Sequence, residues 1–285
     1  MSFILENISI IKRAKRKYRV LKQKRYDSEK KDFIRKITEE EKLIILGNQK
    51  TGSTVIADLV SKRSGKSVML DVLGALNEPE WLLKQRYGLS DLSDFIYRHR
   101  DEFGRNILKE PSLTFFYADL VKIFPNAKAS FIIRNPLNNI RSILNRLNIP
   151  GNLDNIRAED WPELENMPTW KLALDSTWLG YPEGNYVEAL AYRWCAAADV
   201  YLKNKDKIYL LEYEKFLSDK SATIDEFCKF HGLALKEDIS HLVDTQYQRK
   251  GISDVDLHMF FGKSNYDNIM KICDYKARQF GYKIK

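Results

Sequence analysis

Between positions 47 and 54 the chain reads GNQKTGST, and glycines, a lysine and hydroxyls are the residue types from which an anion site is made. Backbone N–H groups at the start of a helix, left unobstructed by Gly52, point toward a negative group, and Ser53 and Thr54 add hydroxyl donors. A nucleoside-triphosphate loop requires glycine, four residues, then Gly-Lys-Ser/Thr. Ser53 stands where that lysine should be, and the lysine lies inside the loop as Lys50. The ammonium then approaches a terminal group from another direction and the usual Mg²⁺-binding hydroxyl is out of register, which weakens a kinase or ATPase reading. A plain glycine turn with a Ser/Thr helix cap is the bland alternative. A second constellation is FIIRNPLNNIRSIL at 131–144. An apolar run ends in Arg134, Asn135 can cap, Pro136 suits a first helical turn, and Ser142 follows Arg134 by eight residues. An arginine at the carboxyl edge of a parallel sheet, with a hydroxyl near it, suits a phosphate through a planar donor fork and an O–H bond.

The elements that must position these groups are legible as short apolar runs separated by helical patterns. Strands are expected at 42–46, 68–72, 105–108, 129–133 and 208–211, and helices at 54–64, 113–123, 137–147, 188–204 and 221–231. Strands alternating with helices imply an α/β fold of three layers, P-loop-like, with a central parallel sheet flanked by helices. Residues 149–186, rich in Trp, Pro, Gly and Asn, are expected to form an irregular insertion, and 246–265 a second loop.

A chain of 285 residues suits one catalytic core with an extension. The net charge of +8 is concentrated: residues 1–40 hold 13 Lys or Arg against 6 Asp or Glu, and between Lys12 and Arg25 there are nine basic residues and no acidic one. The expected division is a basic extension over 1–38 and a catalytic domain over 39–285. That arm is either a solvated tail or an anion-binding element able to helix on an anionic membrane. No run approaches the roughly 18 apolar residues of a membrane span. The start MSFILENISIIKR lacks a small-residue cleavage site, so a cytoplasmic location is expected, with peripheral membrane contact open to the arm and no nucleic acid partner. Cys195, Cys228 and Cys273 are expected to be buried free thiols, with no metal site.

Taken together, the loop at 50–54 and the Arg134/Ser142 pair resemble the sulfotransferases that use 3′-phosphoadenosine 5′-phosphosulfate (PAPS). The resemblance covers 42–282 in patches, and Lys109-Glu110-Pro111 followed by Phe124-Pro125-Asn126-Ala127-Lys128 is similar to the branch with tyrosylprotein and carbohydrate enzymes. It implies that Lys50, Thr51, Gly52, Ser53 and Thr54 hold the 5′-phosphosulfate and that Arg134 and Ser142 hold the 3′-phosphate. It further implies in-line sulfuryl transfer to a hydroxyl or amine of a carbohydrate, glycolipid or glycan, without a metal. Lys50 and Lys109 would stabilise charge on the leaving phosphate. The aryl-type branch has a histidine where this chain has Pro111, so a carboxylate base is expected: Glu78, with Glu110 as its competitor. Arg249-Lys250-Gly251 resembles a late donor-binding turn, although Asp254 to Leu257 replaces the rest of that motif. A P-loop kinase and a non-enzymatic module binding anionic surfaces are the alternatives.

Overall fold

The computed structural model describes residues 2–75, 78, 80–245 and 255–283. Alternate residues of the first apolar run enter different hydrophobic clusters, Leu43 and Ile45 on one side and Ile44 and Leu46 on the other. A strand covered on both faces must do this. The run is β1 (Leu43–Gly47), preceded by the 38-residue helix α1 (Ser2–Glu39). From there the chain runs through α2 (Ser53–Ser64), β2 (Val68–Met69), α3 (Glu80–Arg86), α4 (Leu92–Arg98), α5 (Arg100–Phe103) and β3 (Ile107–Lys109). It continues through α6 (Tyr117–Ile123), β4 (Lys128–Ile133), α7 (Pro136–Leu147), α8 (Pro168–Ala173), α9 (Tyr186–Leu202) and β5 (Ile208–Glu212). The last helices are α10 (Tyr213–Ser218), α11 (Lys220–Phe230) and α12 (Leu257–Arg278), the last interrupted at Gly262.

Among the described residues the five strands form one parallel sheet in the order β2-β3-β1-β4-β5. Apolar residues of α2 and α11 cover one face, and those of α4, α6, α7, α9 and α12 the other, giving the expected three-layer α/β fold. After β1 the chain moves outward through α2 to β2; after β4 it moves to β5 on the opposite side. The crevice between the carboxyl ends of β1 and β4 is therefore the topological switch point, where open α/β sheets bind ligands.

Several expected boundaries shift for physical reasons. β2 has only two residues because it is an edge strand paired with β3 alone. β3 begins two residues late because the Asn106 side chain instead accepts the Ser67 hydroxyl at 2.9 Å. The helix expected over 113–123 starts as a 3₁₀ turn, Pro111–Phe116, capped by the Glu110 side chain, and becomes α-helical at Tyr117. Part of the loop expected at 246–265 is helix, because Asp256 accepts the His258 and Met259 N–H groups and starts α12; positions 246–254 lie outside the described residues. The insertion at 149–186 is mostly turns, with α8 its one α-helix among the described residues. All three cysteines are free and buried. The basic stretch is helical, and its helix runs on through position 38, where Ile37 is 1% exposed against the core.

Candidate active site

The loop between β1 and α2 is held from several directions. Thr114 Oγ1 accepts the Gly47 N–H at 2.9 Å and donates to the Gly47 carbonyl at 3.0 Å. Asn48 Nδ2 donates to Asn139 Oδ1 at 2.9 Å, and Asn139 Nδ2 donates to the Gln49 carbonyl at 2.7 Å. Lys50 takes a left-handed backbone, φ 63°, which is uncommon for a side-chain-bearing residue. Gly52, the N-cap of α2, is also left-handed at φ 86°. A Cβ there would lie 2.2 Å from Cε2 of Tyr213, so the position requires glycine for space as well as for conformation. Among the described residues no side chain caps α2, and the bland alternative of a Ser/Thr cap does not apply. Its first N–H groups keep their donors for another partner.

Arg134, one residue past β4, joins the second constellation to the first. Its Nη1 donates to the Lys50 carbonyl at 3.0 Å and its guanidinium lies over the Tyr213 ring, 4.8 Å from the centroid. Trp194, fully buried in the core, donates Nε1–H to the Arg134 carbonyl at 2.9 Å. Glu214 accepts the Asn135 N–H at 2.9 Å and the Tyr282 hydroxyl at 2.7 Å, which fixes the entry to α7. Asn135 caps α7 and Pro136 occupies its first turn, as expected. Asn139, Ser142 and Arg146 are spaced i, i+3, i+7, so the face of α7 that meets the loop through Asn139 also carries Ser142 and Arg146.

The electrostatics are one-sided. Burial, and after it the charges of Arg146, Arg134 and Lys109, together lower the Lys50 pKa to about 8. The Arg134 pKa is also lowered, chiefly by burial. Lys50 thus feels three other cations, of which Lys109 is paired with Asp71, and the remaining positive charge favours an anion at the loop.

The expected residues fall unevenly around this centre. Lys50, Gly52, Ser53, Thr54 and Arg134 come together at the switch point, with Ser142 on the facing side of α7. The Thr51 side chain is fully buried and donates to the Asn48 carbonyl at 2.9 Å, which leaves only its backbone for a ligand. Lys109, 2% exposed, pairs with Asp71 at 2.7 Å. Of the two carboxylates, Glu78 is exposed on the turn before α3. Glu110 is buried and accepts the Ser112 and Val72 N–H groups at 3.0 and 3.3 Å; burial, then Asp71, raises its pKa. Arg249 and Lys250 lie outside the described residues. Sequence reasoning missed Arg146, Tyr213, Asp71 and Arg193. Arg146 alone carried a local signal, its spacing of four from Ser142; the others reach the site only through the fold.

Among the described residues no group of His, Cys, Asp or Glu is arranged to hold a metal ion, and no helix is long and apolar enough to cross a membrane. A family model described as "Sulfotransferase family" matches residues 3–237. No curated protein sequence matches the chain. Among solved structures it is similar to sulfotransferase STF9 from Mycobacterium avium, at 12% identity and a TM-score of 0.52, covering 91% of this chain and 82% of that one. It is also similar to a sulfotransferase domain from the curacin biosynthetic pathway, at 13% identity and a TM-score of 0.49, covering 86% of this chain and 99% of that domain.

Proposed function

The chain belongs to the sulfotransferase family and is an enzyme of that class, and from that premise we propose that it moves a sulfuryl group from PAPS to a hydroxyl or amine of a carbohydrate, glycolipid or glycan. The observation that carries the donor assignment is the bond from Arg134 to the Lys50 carbonyl, which joins two cationic stations around one crevice. A donor with phosphates at both ends of a nucleoside needs two such stations. The uncapped start of α2 with Lys50, Thr51, Gly52, Ser53 and Thr54 takes the 5′-phosphosulfate, and Arg134 with Ser142 takes the 3′-phosphate. Arg249 and Lys250 complete the donor site. The catalytic domain spans 39–285, and residues 1–38 extend it.

In the transfer, the acceptor oxygen bonds to sulfur in line as the sulfur's bond to the 5′-phosphate oxygen breaks, leaving adenosine 3′,5′-bisphosphate. Lys50 and Lys109 neutralise charge on the departing phosphate, and Glu78 receives the acceptor proton. Glu78 is favoured because the oxygens of Glu110 are engaged by backbone N–H groups. Calorimetric titration tests the donor: adenosine 3′,5′-bisphosphate is expected to bind without metal, whereas Mg-ATP binding alone would favour the kinase alternative. Labelled PAPS offered against glycan, lipid and phenol panels then identifies the acceptor.

The arm belongs to the same reading, as a peripheral contact with anionic membrane. Residues 15–25 are all exposed, and beyond them α1 meets the body at Tyr26, whose ring lies 5.0 Å from that of Tyr97. Each basic side chain near an anionic bilayer contributes about 1 kcal/mol. Changing Lys15, Lys17, Lys22 and Lys24 to Glu is expected to reduce sedimentation with phosphatidylserine vesicles more than tenfold and leave bisphosphate affinity unchanged. Equal sedimentation of parent and variant would remove the arm from this role.

A further inference from the structure

Arg193 lies in the middle of α9, 1% exposed, outside every role assigned above. A buried guanidinium is a poor filler: well-packed apolar side chains in place of buried charges are often neutral or stabilising. Its surroundings would suit such a filler, since the guanidinium sits 4.5 Å from the Phe115 ring centroid and 5.7 Å from that of Trp178. Burial accordingly lowers its pKa, to about 9, with Glu110 opposing the shift, so the charge persists at neutral pH. What a filler could not do is donate. Arg193 Nε–H donates to the side-chain oxygen of Gln49 at 2.8 Å, across 144 positions of sequence.

Gln49 immediately precedes Lys50, the lysine in a left-handed backbone. That conformation persists only if its neighbours hold it. Asn139 holds the carbonyl of Gln49, Arg134 holds the carbonyl of Lys50, and Arg193 holds the side chain of Gln49. The first two fix the backbone from the α7 and β4 side. The third anchors the loop to α9.

We propose that Arg193 is a positioning residue: through Gln49 it fixes the loop that aims Lys50 at the donor's 5′-phosphate. The proposal rests on the donor reading given above. It requires the effect to be selective for the 5′ end of the ligand and to pass through Gln49. The test compares Gln49→Met, Arg193→Met and the double variant by calorimetric titration with adenosine 3′,5′-bisphosphate and with adenosine 3′-monophosphate. Gln49→Met keeps the shape of the half-buried loop residue and removes only its acceptor, so it remains informative if Arg193→Met folds poorly. Each single change is expected to weaken the bisphosphate about tenfold, the scale of a hydrogen bond from a charged donor. The 3′-monophosphate is expected to change less than twofold, and the double variant to lose no more than the worse single one. Equal weakening of both ligands, unchanged bisphosphate affinity in Gln49→Met, or additive losses would each overturn the proposal. If the parent chain binds neither ligand, the donor reading fails and this inference fails with it.

Discussion

Lys50→Met is expected to lower turnover by 10²–10³-fold at saturating donor while the variant melts no lower than the parent. The magnitude is that of removing one preorganised charge or donor from a transition state, about 2.7–4 kcal/mol. The second half follows from the direction of the pKa shift. Burial, then Arg146, Arg134 and Lys109, holds Lys50 at about 8 in the folded chain. The unfolded chain therefore binds more protons between about 8 and the ordinary lysine value of 10.5, and the stability cost of this lysine is full below 8 and relieved as pH rises to 10.5. Methionine removes that cost without adding backbone strain. The same sign governs the ligand: an anion favours charged Lys50, so bisphosphate affinity should fall as pH rises through about 8, with proton uptake on binding. In Lys50→Met that dependence should flatten. Titrations at pH 7 and 9 in two buffers of different ionisation enthalpy, beside a thermal melt, check both; undiminished turnover would remove Lys50 from the chemistry.

Arg134→Ala is expected to weaken adenosine 3′,5′-bisphosphate about 100-fold, with a much smaller effect on adenosine 5′-monophosphate. Two losses combine. The charge-assisted fork to the 3′-phosphate is worth about 1.5–3 kcal/mol for hydrogen bonds to a charged group. The bond to the Lys50 carbonyl and the contact with Tyr213 go as well, so the loop loses a brace on that side. Arg134→Lys keeps the charge but not the planar fork, and should recover only part of the affinity. The comparison of the two nucleotides separates the functions, because only the bisphosphate carries a 3′-phosphate. Equal affinity of parent and Arg134→Ala for the bisphosphate would displace the 3′ station from this residue.

The parts of the site legible in the sequence are those whose signal is local. The run at 43–47 followed by GNQKTGST, and Ile133-Arg134-Asn135-Pro136, carry their geometry in adjacent residues: a buried strand, a conformationally special turn, a helix start. The boundaries of β4, α7, α9 and α11 fall within two residues of expectation for the same reason. Where a boundary depends on a partner far along the chain it was not legible. β2 stops at Met69 because it lies at the sheet's edge, and the turn after β3 is 3₁₀ because Glu110 caps it.

The resemblance also indicated Lys109 and two carboxylates without distinguishing their environments. Burial decides those: Lys109 is enclosed with Asp71, Glu110 is engaged by backbone N–H groups, and Glu78 faces solvent. Tyr213 against Gly52, Arg193 behind Gln49 and Arg146 near Lys50 act on the loop from positions 96 to 161 residues distant. By itself the amino-acid order determined that a glycine turn opening a helix follows one strand and an arginine ends another, since both depend on local backbone preference. Only the tertiary structure decided that the two share one crevice, and that burial and neighbouring cations bring Lys50 to about 8, since desolvation and charge repulsion depend on distances that sequence order does not contain.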